Sequence, residues 1–267
     1  MNNLSSKYTC NICLKQVEKL SQDHIPPKCC GNYKKVKFRK VYFDENNKIK
    51  EFISQNGMKF QTICSSCNNE LGSKYDKKIQ EFMEYVISKI SNGEWSFKYN
   101  CEDLKFLLKG IIGHIIATTS FEKSSNSLFD QALRNYYLYD EIPEKYELFL
   151  YIYPYQEIIF TAKNLYPIKI FNKKYAKDIP ESMVTILYFF PFAFIFTEKG
   201  VLDGIKLFES LENNEITFGD NAMWFNKKIN RILPHFWPLQ IDSNIIDGID
   251  ALAGGIDSKN SIVAESE

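Results

Sequence analysis

Apolar residues at Leu71, Tyr75, Ile79, Phe82, Met83, Val86 and Ile90 recur every three or four positions, the period of one helix face. They predict a helix of about five turns that starts at Asn68, directly behind Cys64–Cys67, and stops at Asn92-Gly93. A second helix is expected over Glu102–Phe121, where Leu104, Leu107, Leu108, Ile111, Ile112, Ile115 and Ile116 leave hardly any polar face. A helix apolar on most sides is buried, so this one should be central to its module. Ser124–Ser127 reads as a loop and Leu128–Tyr139 as a shorter helix. The texture then turns β-branched and aromatic, predicting strands at Glu147–Tyr153, Glu157–Ala162, Ile168–Phe171, Val184–Phe190 and Ala193–Thr197. The most apolar stretch, Met183–Phe196, is too short for a membrane helix and is broken by Pro191, so it is read as core strands. After Pro234–Pro238, residues Asp242–Glu267 are small, acidic and without an aromatic, and a disordered tail is expected there.

Composition agrees with a folded chain: 267 residues, 45% hydrophobic and 25% charged, with 21 Phe and 16 Tyr available to a core. Disorder as a default state and low-complexity architectures are excluded. Net charge is zero, but residues 1–90 hold 16 basic against 9 acidic side chains, and the remainder reverses that balance. The opposed halves predict two modules, the first suited to a polyanion. Met1–Lys7 is polar with no apolar run behind it, so a cytoplasmic protein without membrane contact is expected.

Six of the seven cysteines fall between Cys10 and Cys67. In a reducing compartment such a cluster indicates a metal more than a disulfide frame. Two pairs, Cys10-Asn-Ile-Cys13 and Cys64-Ser-Ser-Cys67, have the C-x-x-C spacing by which one tight turn grips an ion from two sides. Four thiolates complete a tetrahedron around Zn²⁺ and leave no open position, which marks a structural site. The first ninety residues are thin in apolar side chains, and a bound ion would compensate.

A closed zinc site performs no chemistry, yet it would return the chain between the pairs to a point beside Asn68. That segment contains Asp23-His24-Ile25-Pro26-Pro27-Lys28. A carboxylate at Asp23 and an amide oxygen at Asn68 are hard ligands suited to Mg²⁺ or Mn²⁺, and a neighbouring imidazole can take a proton from water near neutral pH. The set amounts to a one-metal phosphodiesterase.

The run C-x2-C, DHIPPK, C-x2-C-N-N-E-L-G resembles the HNH (ββα-metal) endonucleases over roughly residues 8–90. It is most similar to the zinc-stapled four-cysteine branch of the phage endonuclease VII type, and its Asp-His-Ile-x-Pro run resembles the HNH domains of CRISPR effector nucleases. The resemblance implies that Cys10, Cys13, Cys64 and Cys67 hold zinc, that His24 is the general base, and that Asp23 and Asn68 hold the catalytic Mg²⁺ or Mn²⁺. Asn69 is an alternative ligand, because some relatives place it one residue later. Two departures stand out: Asn68 fills a place where many relatives have histidine, and Cys29-Cys30-Gly31 follows the catalytic run. Adjacent thiols grip one ion poorly, so Cys29 and Cys30 are read as buried or surface thiols; Asp76, eight residues into the helix, could face the site but is read as a solvated or N-terminal-turn acid.

Lys28, Lys34, Lys35, Lys37, Arg39 and Lys40, interleaved with Tyr33, Phe38 and Tyr42, are placed to hold a phosphate backbone, against the plainer reading of a solvated hairpin face. His114, in an apolar helix, is read as a hydrogen-bonded core histidine, and His235 as a surface or packing residue. No phosphate-cradling glycine loop and no nucleophile-elbow serine is found.

The expected fold is α+β: a zinc-stapled ββα-metal domain over residues 1–92, then a larger α/β module over 93–241 with a central helix and antiparallel strands, then the tail 242–267. The expected function is a metal-dependent endonuclease acting on DNA, with RNA open to the same chemistry, as would suit phage defence or a mobile element. The acidic second module suggests dimerisation, sensing or partner binding. The alternative is a zinc-stapled nucleic-acid-binding or interaction module without catalysis.

Overall fold

The computed structural model describes residues 8–40, 51–118, 127–153, 158–169, 182–219, 251–254 and 262–266. His235, Tyr42 and the Pro234–Pro238 segment lie outside these residues, as do 119–121 of the second predicted helix and most of the 242–267 tail.

The chain opens with a two-residue hairpin, β1 (Tyr8–Thr9) and β2 (Gln16–Val17), followed by β3 (Ser21–His24), β4 (Val36–Lys40), β5 (Glu51–Ser54) and β6 (Lys59–Ile63). β3 pairs antiparallel with β6, with Asp23 opposite Phe60 and His24 opposite Lys59. From β6 the chain passes into a helical rod: α1 (Ser65–Glu70), a π turn (Leu71–Tyr75) and α2 (Asp76–Ser91). The predicted helix is therefore present, but it widens in the middle, where the Asp76 amide reaches back to the Leu71 carbonyl. Single π turns occur often at functional sites. The 3.6-residue pattern does not reveal this one, because Leu71, Tyr75, Ile79, Phe82 and Val86 stay buried on one face throughout. Asn92 caps the rod and Gly93 leaves it with a left-handed φ of 74°.

After β7 (Phe97–Asn100) comes α3 (Leu104–Ala117), whose residues from Gly110 to Ala117 are all buried, as expected of a central helix. It packs on the rod unusually closely. A methyl group at Gly110 would come within 2.9 Å of Tyr75 Cβ, and one at Gly113 would collide with Leu71 and Tyr137. The glycines are thus spacers that let two helix backbones approach. The C-terminal carbonyls of α3, which no helical amide can satisfy, are taken up from elsewhere. Asn11 Nδ2 donates to Ile116 O at 3.2 Å, Thr62 Oγ1 to Ala117 O at 2.6 Å and Lys163 Nζ to Ile116 O at 3.3 Å.

α4 (Leu128–Tyr139) covers the other side of α3 and begins with Ser127 accepting the Asp130 amide, a standard N-cap. β8 (Tyr146–Ile152), β9 (Ile158–Lys169), β10 (Val184–Phe189) and β11 (Phe192–Glu198) follow the predicted strands closely, β9 joining two of them into one. Met183–Phe196 is the β10–β11 hairpin, and among the described residues no helix is long and apolar enough to cross a membrane. β12 (Ile205–Lys206), α5 (Leu207–Ser210) and β13 (Glu215–Phe218) complete this part, β13 pairing with β7.

The main sheet runs β12-β8-β11-β10-β9-β15-β4-β5, with β14 (Ala251–Gly254) paired to β9 and β15 given by Ile262–Ser266. The described pieces of the expected tail are therefore strands. β15 there supplies a ladder between β4 and β9. The resulting mixed α+β fold has antiparallel sheets and a long helix. Its hydrophobic core is continuous from Cys10 through Phe82 and α3 to Phe196, so the change of texture near residue 92 is not a break in packing. Phe82 of α2 stacks on Phe192 of β11 with ring centroids 4.6 Å apart, one of the contacts that join the halves.

Candidate metal cluster and strand–helix junction

The β1–β2 hairpin turns tightly because Cys10 N donates to Lys15 O and Leu14 N to Cys10 O, with Leu14 in left-handed backbone at φ 59°. Asn11 N then donates to Thr62 O, which sets this turn beside the start of α1. Cys64 stands at the N-cap of α1 and its amide donates to Cys10 Sγ at 3.2 Å. The sulfurs of Cys10, Cys13, Cys64 and Cys67 all lie within 4.8 Å of one another, with Cys10–Cys67 and Cys13–Cys64 each at 3.8 Å. A tetrahedral ion with Zn–S bonds of about 2.3 Å needs sulfurs about 3.8 Å apart, so the cluster fits a metal such as zinc. The hydrogen bond between Cys10 and Cys67 holds the Cys10 pKa down to about 4 and drives that of Cys67 up, while burial raises that of Cys13. Cys29 and Cys30 are not part of the cluster. They form a 3-10 turn with Lys28, and Cys29 Sγ donates to Asp76 O at 3.5 Å.

β3 runs from the cluster toward the acid and imidazole singled out in the sequence. Asn68, in α1, is tied to this strand: its Nδ2 donates to Ser21 Oγ at 2.8 Å and to Gln22 O at 3.1 Å. Both bonds use the nitrogen, so the oxygen, the atom that would ligate a cation, is outside them. Asn69 is exposed on the next position of α1.

Asp23 and His24 are consecutive on a strand, so they leave opposite faces. His24 is half-buried, and its Nε2 lies 3.2 Å from Asn56 O. A nitrogen facing a carbonyl must carry the proton, which leaves Nδ1 as the acceptor. Burial, then the charges of Lys28 and Lys59, lower the His24 pKa from its ordinary 6.5. The ring is therefore neutral at pH 7, the state a general base needs. The loop behind it is pinned by Asn32, whose Nδ2 donates to Pro26 O and Met58 O and whose Oδ1 accepts from Met58 N at 2.6 Å. Gly57 makes the opposing turn at φ 66°, where a side chain would overlap the Asn32 backbone.

Asp23 points inward, 6% exposed, and its Oδ2 accepts from His114 Nδ1 at 3.1 Å. On the other edge of the same ring, Nε2 donates to Asp76 Oδ1 at 2.9 Å. A neutral imidazole has a single N–H, so a ring donating from both nitrogens is the imidazolium. Burial alone would lower its pKa, but the Asp23 charge and hydrogen bond, with those of Asp76, outweigh burial and raise it to about 10. His114 is thus the buried, hydrogen-bonded histidine its helix implies, but its partners are acids at the candidate centre. Asp76, read as a solvated acid, is instead one of them. Asn68 is bonded to the strand that carries Asp23 and His24, but the side chains of Asp23 and His24 leave opposite faces of that strand and none of the three hydrogen-bonds another.

Lys28 and Lys34 are exposed, Lys35 and Lys37 half-buried, and Arg39 and Lys40 stand on β4 between β5 and β15. Sequence reasoning missed Lys59, Asn32 and the role of His114. Lys59 alone carried a local signal, a basic residue in a short alternating strand. No protein-family model, curated protein or solved structure matches the chain.

Proposed function

We propose that the chain is a metal-dependent endonuclease of the HNH type that hydrolyses phosphodiester bonds in DNA, with zinc in the four-cysteine cluster as its structural staple. The observation that carries this reading is the junction itself. An antiparallel pair, β3 and β6, leads into a helix whose first turn supplies two cluster thiols, and Asn68 of that helix is bonded to the strand bearing Asp23 and His24. The residues fit the implied ions: soft thiolates for zinc, and a carboxylate with an amide oxygen for Mg²⁺ or Mn²⁺.

In this reading Asp23 and Asn68 hold the divalent cation, which when bound supplies charge neutralisation at the phosphate. His24 Nδ1 takes a proton from water as the water oxygen attacks phosphorus in line, and the bond to the 3′ oxygen breaks, that oxygen taking up a proton from solvent. The products are a 5′ phosphate and a 3′ hydroxyl. Neutral His24 with Nε2 held by Asn56 matches this role. Lys28, Lys34 and Lys59 supply positive charge around it, so binding weakens as salt rises.

The non-catalytic alternative is favoured by one observation: the Asp23 carboxylate is already engaged, as a buried partner of His114. Nicking of supercoiled plasmid by zinc-loaded protein in Mg²⁺ or Mn²⁺ separates the two. The nuclease reading expects metal-dependent nicking that falls about 10²–10⁴-fold in His24→Ala at unchanged zinc content. Zinc-loaded wild type that binds DNA and never nicks it, or nicking unaffected by His24→Ala, refutes it.

A further inference from the structure

His114 stands on α3, outside the stretch that resembles a nuclease, and yet its ring bonds both Asp23 and Asp76. Three elements meet at its ring: β3 through Asp23, α2 through Asp76, and α3 itself. The side chain is 1% exposed, and the bond to Asp23 is buried on both sides, while Asp76 is partly open to solvent. Its position is built in by its neighbours. Gly113 and Gly110 allow α3 to lie against Leu71, Tyr75 and Ile79, and Asn11, Thr62 and Lys163 fix the end of the helix by its carbonyls. The ring therefore arrives on a rigid support on which both carboxylates are oriented.

We infer that His114 is a positioning residue of the nuclease centre: by binding Asp23 Oδ2 through Nδ1 and Asp76 Oδ1 through Nε2, it fixes the orientation of the Asp23 carboxylate that would hold the divalent cation. This inference rests on the endonuclease reading above. Its consequence is that the centre is incomplete without α3, which lies beyond the stretch that resembles a nuclease. Ligands in metal sites are oriented by outer hydrogen bonds of this kind, and losing one costs about 10–100-fold in metal affinity. Asp23 is oriented from one side only by His114, and no other hydrogen bond to its side chain is found among the described residues.

The two ring nitrogens allow a specific test. The amide nitrogen of His114→Asn occupies nearly the place of Nδ1 and can still donate to Asp23, whereas that of His114→Gln lies nearer Nε2 and favours Asp76. His114→Leu can do neither. Mn²⁺ binding to zinc-loaded protein, followed by electron paramagnetic resonance without DNA, is measured for the four proteins beside their thermal midpoints. The expected result is Mn²⁺ binding weakened about 10–100-fold in His114→Leu, restored mostly by Asn and less by Gln, in an order independent of the midpoints. Wild-type affinity in His114→Leu overturns the inference, as do affinities that track the thermal midpoints. Should His114→Leu fail to fold, the Asn and Gln variants decide, equal affinities overturning it. If wild type nicks plasmid and binds Mn²⁺ but the variants do not differ, only the positioning role fails. If zinc-loaded wild type neither binds Mn²⁺ nor nicks, the endonuclease reading falls and takes this inference with it.

Discussion

The thiol cluster and the Asp23–His114–Asp76 group sit at the two ends of the same strand–helix junction and are built by opposite means. Each half of the thiol cluster comes from one turn, Cys10–Cys13 or Cys64–Cys67, so its geometry is nearly decided before the chain folds, and the four sulfurs are close enough for a single ion to join the halves. The acid–imidazole group has no local part. Its members are 91 and 38 residues apart in sequence and meet only because α3 can press against the helical rod at two glycines. The first kind of site stabilises the fold that holds it; the second is a product of that fold.

The largest effect should follow from breaking the first. Cys10→Ser or Cys64→Ser removes one of four ligands, and structural zinc in small domains contributes about 10–16 kcal/mol. Loss of zinc by metal analysis, with rapid hydrogen exchange through β3 and β6, is expected. Cys29→Ser and Cys30→Ser, outside the cluster, should keep the zinc.

An intermediate effect should come from Gly113→Ala. The added methyl group meets Leu71 and Tyr137, and overpacking of this kind costs about 1–3 kcal/mol. Urea unfolding should report the loss, with zinc content unchanged, and His114 on the next residue should lose its alignment.

These two contrasts also explain what the sequence disclosed. The rod, α3, α4 and strands β8 to β11 were legible because their apolar periods are long and their turns punctuated: Asn92-Gly93 after the rod, Pro191 between β10 and β11. The thiol cluster was legible because ligand spacing is a local property. The π turn was not, since its buried positions keep an ordinary helical spacing. Nor were β14 and β15, whose small residues resemble a tail until β4 and β9 offer them edges. His114 was read correctly as buried and bonded, but a helix pattern carries no information about which carboxylates wait across the core. Asp76 shows the same gap from the other side.

A further effect concerns pH. The His114 pKa is raised to about 10 from an ordinary 6.5, so its charged form contributes stability in full below about 6.5 and loses it as pH rises through about 10. The difference in unfolding midpoint between wild type and His114→Leu should therefore narrow across that window. A gap that stays constant would mean the ring is neutral in the folded state.

The central claim is that the junction beside the thiol cluster cuts phosphodiester bonds, and Asp23 lies where the cluster's strand and the His114 contact meet. Plasmid nicking by zinc-loaded Asp23→Asn, in Mn²⁺ and beside wild type, addresses it most directly. The account predicts retained zinc, retained DNA binding and cleavage reduced about 10²-fold or more. An Asp23→Asn protein that cuts at the wild-type rate would contradict it.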